Sequence, residues 1–96
     1  MSEALKAAAE ALDRKYHGED LGSTIKFEIE GEGAIRIVGG KVVIGDGEAD
    51  VTITATLDVF RAIFDGEMSP AAAYMSGKMQ VDGDMGVAMM LSQALG

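Results

Sequence analysis

Apolar residues recur along this chain with two periods, and the switches between them mark out helices and strands. Over residues 2–16 the positions Leu5, Ala8, Ala9, Leu12 and Tyr16 follow helical spacing and form one apolar stripe. Ser2 is placed to cap this helix and Gly18 to end it in the left-handed conformation. Over residues 24–30 the period falls to two. Ile25, Phe27 and Ile29 alternate with Lys26, Glu28 and Glu30, which predicts a strand with one buried and one solvated face. Residues 34–38 and 41–44 read as a second and third strand joined by a tight turn at Gly39-Gly40, with a further turn at residues 31–33. Gly45-Asp46-Gly47 breaks the third strand. A fourth strand is predicted over residues 49–55, with Val51, Ile53 and Ala55 on one face and Asp50, Thr52 and Thr54 on the other.

The period then lengthens again. Thr56 caps a helix that carries Leu57, Phe60, Ile63 and Phe64 on one stripe, has Asp58 near its positive end and stops at Gly66. Ser69-Pro70 starts a short helix, serine as cap and proline at the first helical position, that ends at Gly77. Residues 78–82 read as a fifth strand with Met79 and Val81 on one face, and Asp84 caps a last helix over residues 85–95. Strands and helices are partly segregated, which predicts an α+β fold: one sheet with helices on one face. The last helix is apolar nearly all round, with little polar surface beyond Ser92 and Gln93. Such a helix is buried on several sides or covers a cavity. Apart from Met1, every methionine lies between Met68 and Met90, and methionine suits apolar surfaces that accept varied shapes.

Composition narrows the functional classes. Ninety-six residues predict one domain, 1–96. Sixteen acidic against eight basic side chains give a formal charge of −8, a field that repels phosphate backbones and anionic headgroups. Nucleic acid is therefore excluded as an expected partner, and membrane contact is expected to be transient at most. The absence of cysteine removes disulfides, thiolate chemistry and Cys-ligated zinc. The first residues do not read as a signal peptide, no apolar run is long enough to span a membrane, and a cytoplasmic location is expected.

No motif makes a case for catalysis. His17, the lone histidine, sits at a helix end, where a cation interacts favourably with the helix dipole. Asp82-Gly83-Asp84 looks like a fragment of a calcium loop, but Met85, Val87 and Gln93 occupy the later ligand positions, so a turn and a helix cap explain the acids. The glycines at residues 31–33 and 39–40 do not open a helix, as phosphate cradling requires. No metal site and no cofactor is expected.

Several short motifs in succession carry a resemblance. They are Ala49-Asp50-Val51-Thr52-Ile53, the helix from Phe60 to Gly66, Ser69-Pro70, Ala73-Tyr74-Met75-Ser76-Gly77-Lys78-Met79, and Gly83-Asp84. In this order they resemble the sterol carrier protein 2 family, closely over about half of the chain. The resemblance implies a mixed five-stranded sheet with helices on one side and an apolar tunnel between them, without catalytic residues. The ligands it implies are sterols, fatty acids, acyl-CoA or phospholipids. The lining positions it carries over are Phe60, Phe64, Tyr74, Met75, Met79, Val81, Met85, Met89 and Met90. Tyr74, Ser92 and Gln93 are candidates to orient a ligand head. A small lipid-binding or lipid-transfer protein is thus the leading expectation. The second is a non-catalytic interaction module that dimerises or docks through the apolar face of its last helix.

Overall fold

The computed structural model describes residues 3–16 and 22–95. In chain order its elements are α1 (Glu3–Lys15), β1 (Ile25–Ile29), β2 (Gly33–Val38), β3 (Lys41–Ile44), β4 (Val51–Ala55), α2 (Leu57–Phe64), α3 (Pro70–Met75), β5 (Met79–Gly83) and α4 (Met85–Leu95). The expected cap at Ser2, the stop at Gly18 and the histidine at position 17 lie outside the described residues.

The strands form one mixed sheet in the order β3-β2-β1-β4-β5, antiparallel throughout except for the β1–β4 pair. That parallel pair follows from the routing. The chain leaves β3 at one edge and must pass back over β2 and β1 before it enters β4. The returning residues 45–50 lie on the polar face and are tied down there. Lys26 Nζ donates to Asp46 Oδ1 at 2.9 Å, and Arg36 Nε donates to the Gly45 carbonyl at 3.2 Å. Lys26 and Arg36 stand directly opposite each other across β1 and β2. Two cations so placed repel one another, and the carboxylate of Asp46 offsets this.

Asp50 closes the return. Its N–H donates to the Thr24 carbonyl, and its carboxylate accepts the Thr24 N–H, both at 2.8 Å. The carboxylate is turned back onto the chain, so β4 begins at Val51 rather than at residue 49, where alternation alone starts it. β5 runs one residue further than expected, to Gly83, whose backbone pairs with Val51.

The alternation seen in the sequence becomes two chemically distinct faces. Across the sheet Phe27 stands beside Ile35 and Ile53, Ile53 beside Val81, and Ala55 beside Met79. This apolar face carries all four helices. α1 lies over β2 and β3 and packs on α2, whereas α3 and α4 cover β4 and β5. Between the two groups sit the three phenylalanines. Phe27 meets Phe60 and Phe64 edge-on, with centroids 5.7 and 5.6 Å away, while Phe60 and Phe64, one helical turn apart, stack at 5.7 Å. Edge-to-face pairs of this kind add about 0.5–1.5 kcal/mol each beyond area burial.

The predicted caps form. Thr56 Oγ1 accepts from Val59 N at 3.4 Å and Ser69 Oγ from Ala72 N at 3.1 Å. Asp84 Oδ1 accepts from both Gly86 N (2.9 Å) and Val87 N (3.3 Å). Gly77, between α3 and β5, has φ of +76°, the left-handed backbone its position predicts.

Candidate functional site

The helices do not fill the space above β4 and β5 completely. A cavity of about 200 Å³ remains between the sheet and α2, α3 and α4. Its floor is Phe27, Ile53, Met79 and Val81, one residue from β1, one from β4 and two from β5. α2 contributes Phe60, Ile63 and Phe64, the same stripe that its helical period put inward. α3 contributes Pro70, Ala71 and Tyr74, and α4 closes the cavity with Met85, Ala88, Met89, Leu91, Ser92 and Leu95.

Depth is graded. Phe27, Phe60 and Leu91 are almost fully buried, whereas Tyr74, Met85 and Met89 are exposed. The cavity therefore reaches the surface between α3 and α4, and those three side chains form its mouth. Of the lining residues only Tyr74 at the mouth and Ser92 on α4 have polar side chains, and it is their apolar atoms that meet the cavity. Among the described residues neither hydroxyl is engaged in a hydrogen bond, and no group of carboxylate or histidine side chains could hold a metal ion. No described helix is long and apolar enough to cross a membrane.

Of the nine lining positions implied by the resemblance, the structure brings seven together: Phe60, Phe64, Tyr74, Met79, Val81, Met85 and Met89. Met75 and Met90 lie elsewhere, and Gln93 does not reach the cavity either. Met75 ends α3 and is 85% exposed. Met90 is displaced by helix geometry. At about 100° per residue, the lining residues of α4 span an arc of about 160°, and Met90 falls opposite its centre. Placing a charge at Met90 therefore does not place it in the cavity.

Residues that sequence reasoning left out also line the space: Phe27, Ile53, Ile63, Pro70, Ala71, Ala88, Leu91 and Leu95. For Phe27, Ile53 and Ile63 a signal existed, because each belongs to the inward set of its element. Ala71 and Ala88 carried none, since a small side chain marks a cavity wall only when its neighbours are known.

Comparison with known proteins agrees with this geometry. The family model described as the SCP-2 sterol transfer family matches residues 2–96. A hydroxysteroid dehydrogenase-like protein 2 from Xenopus laevis is 33% identical over an alignment covering 96% of this chain and 25% of that protein. The chain spans about a quarter or less of the length of the curated relatives it matches. Among solved structures, sterol carrier protein 2 like 2 from Aedes aegypti superposes with a TM-score of 0.75 at 22% identity, over 94% of each chain. Sterol carrier protein 2 from the same mosquito, in complex with palmitate, gives 0.74 at 23% identity, over 99% of this chain and 96% of that one. At such identities the two likenesses establish the fold.

Proposed function

This chain belongs to the SCP-2 sterol transfer family, and on that premise we propose that residues 1–96 act as one lipid-binding and lipid-transfer domain that performs no chemistry on its cargo. The observation that carries this reading is the cavity itself, enclosed by sheet and helices, apolar on every side and open between Tyr74 and Met89. An acyl chain leaving water for such a space gains about 25 cal/mol for each Å² of apolar surface buried. A structural relative holds palmitate, and a single acyl chain is the cargo best matched to a cavity this narrow. At about 200 Å³ it is smaller than the roughly 300–1,000 Å³ of common small-molecule sites. Loading then requires α4 to shift outward or the ligand to protrude at the mouth.

Ala88→Phe tests the reading, because a phenyl ring there projects into the cavity without removing any core residue. Native mass spectrometry of wild type mixed with a long-chain lipid should show a bound complex, and the variant should show far less. Equal loading of both proteins would mean that lipid binds elsewhere.

A second reading has its own observation. Met75 and Met90 are large, apolar and exposed, yet neither lines the cavity. A contact with another copy of the chain would cover them, and the same mass spectra show it as a lipid-free dimer.

A further inference from the structure

We propose that the outer surface of α3 and α4 docks on a zwitterionic lipid bilayer and seats the cavity mouth directly on the membrane. This rests on the lipid-binding reading above and goes beyond it, to the surface from which cargo enters. Among the described residues seven large apolar side chains are left exposed, and five of them, Tyr74, Met75, Met85, Met89 and Met90, belong to these two helices. The other two, Val38 and Val43, belong to β2 and β3 at the far edge of the sheet. α3 and α4 are in contact, and Tyr74, Met85 and Met89 also line the cavity. The apolar patch and the entrance are therefore one surface.

Charge identifies the partner. The six residues of α3 and the eleven of α4 include no charged side chain, whereas α1 carries Glu3, Lys6, Glu10, Asp13, Arg14 and Lys15. An uncharged, methionine-rich outer face on an otherwise charged chain is not built for water alone. An anionic bilayer is disfavoured, because the chain's formal charge is −8 and neither helix offers a lysine or arginine to hold the headgroups. Phosphatidylcholine headgroups have no net charge. Flexible methionines conform to such an uneven apolar boundary, and a tyrosine suits its wet edge. A second copy fits less well: a stable interface takes about 20–30 residues from each side, and two acidic chains repel. Seating a few side chains among headgroups needs no such area.

The chain contains no tryptophan, so single-tryptophan reporters test the proposal. Met75→Trp places one in the patch but outside the cavity lining, and Val43→Trp places one opposite Arg36 on the polar face of the sheet. With phosphatidylcholine vesicles, emission from Met75→Trp should shift to the blue and be quenched by brominated acyl chains, while Val43→Trp stays unchanged. In flotation, vesicles of equal phosphatidylcholine and phosphatidylserine should retain less protein than phosphatidylcholine alone, and salt should not release it from the latter. The double variant Met75→Asp, Met90→Asp should lose vesicle binding at least about tenfold. Its uptake of myristate from solution, read by native mass spectrometry, should match wild type, because neither position lines the cavity. Met75→Trp emission unmoved by vesicles, or vesicle binding unchanged in the double variant, overturns the docking and leaves the lipid-binding reading standing. Equal quenching of Val43→Trp, or tighter binding to the mixed vesicles, overturns it too. A blue shift of Met75→Trp that grows with protein concentration without vesicles overturns it in favour of a second copy. No uptake of myristate by wild type overturns the reading on which the proposal rests.

Discussion

Gly83 rests directly against the backbone of Asp50. A β-carbon on Gly83 would collide with the Asp50 carbonyl and would lie 2.9 Å from the Val51 Cα, and the glycine's φ is +115°. The next residue uses the same contact, since Asp84 N donates to the Asp50 carbonyl at 3.1 Å and the Asp84 side chain then caps α4. The close approach of these two residues sets the point from which α4 is launched across the cavity.

Gly83→Ala should therefore cost more than a glycine-to-alanine change at an open turn. Clash and left-handed strain together predict a loss of about 2–3 kcal/mol or more. At Gly77, where nothing stands in the way of a β-carbon, only the strain remains, so Gly77→Ala should cost about 1 kcal/mol. Urea denaturation of the two variants checks the order.

The two faces of α4 should answer differently to the same kind of change. Leu91 is buried in the core, and Leu91→Ala should destabilise by about 2–5 kcal/mol. Met90 points away from the cavity, and Met90→Asp should stay within about 0.5 kcal/mol of wild type with lipid binding retained. Met89→Asp should fold normally, because Met89 is 64% exposed, yet lose most affinity for an acyl chain. Thermal melts with probe titration separate the three outcomes.

Acid should loosen the return segment over the polar face. The hydrogen bond from Lys26, then that from the Gly47 N–H, then the lysine's charge hold the Asp46 carboxyl below the usual carboxylate value. A depressed folded-state pKa stabilises above the unfolded value of about 3.9 and is lost as pH falls through the folded one. The effect thus starts near pH ~4 and grows below it. Asp46→Asn should change stability little at pH 7, because the carboxylate is fully exposed, and should flatten the acid limb of the pH–stability curve. An unchanged acid limb in the variant would show that the Lys26 contact carries no linkage.

Lipid should order α4. Its main contacts are with α3, β4 and β5, it faces a partly empty space, and Met89 and Met90 on its outer side are exposed. Amides over residues 87–95 should exchange rapidly without lipid and slow when lipid is added. Those of β1 and β4, central in the sheet, should be protected in both states. Equal protection of α4 and β1 in the empty protein would rule out loading by displacement of α4.

Much of this was legible in the chain because it is local. Strand alternation at Ile25–Ile29, the stripe of Phe60, Ile63 and Phe64, and the caps at Thr56, Ser69 and Asp84 each follow from residues within one or two turns of one another. The succession of motifs from Ala49 to Asp84 carried the family for the same reason, as each is a short strand, helix, turn or cap written in adjacent residues. What periodicity could not do was orient α4. Val87, Met89, Met90 and Leu91 are all apolar, so the helix has no polar face to tell inside from outside, and only contact with β4, β5 and α3 buries Val87 and Leu91, sets Met89 at the cavity mouth and leaves Met90 off the lining. The path of residues 45–50 across the polar face was equally hidden, because it depends on Lys26, Arg36 and Asp46 meeting across 20 residues of chain. Separations of that kind are decided by how the sheet closes, not by local preference.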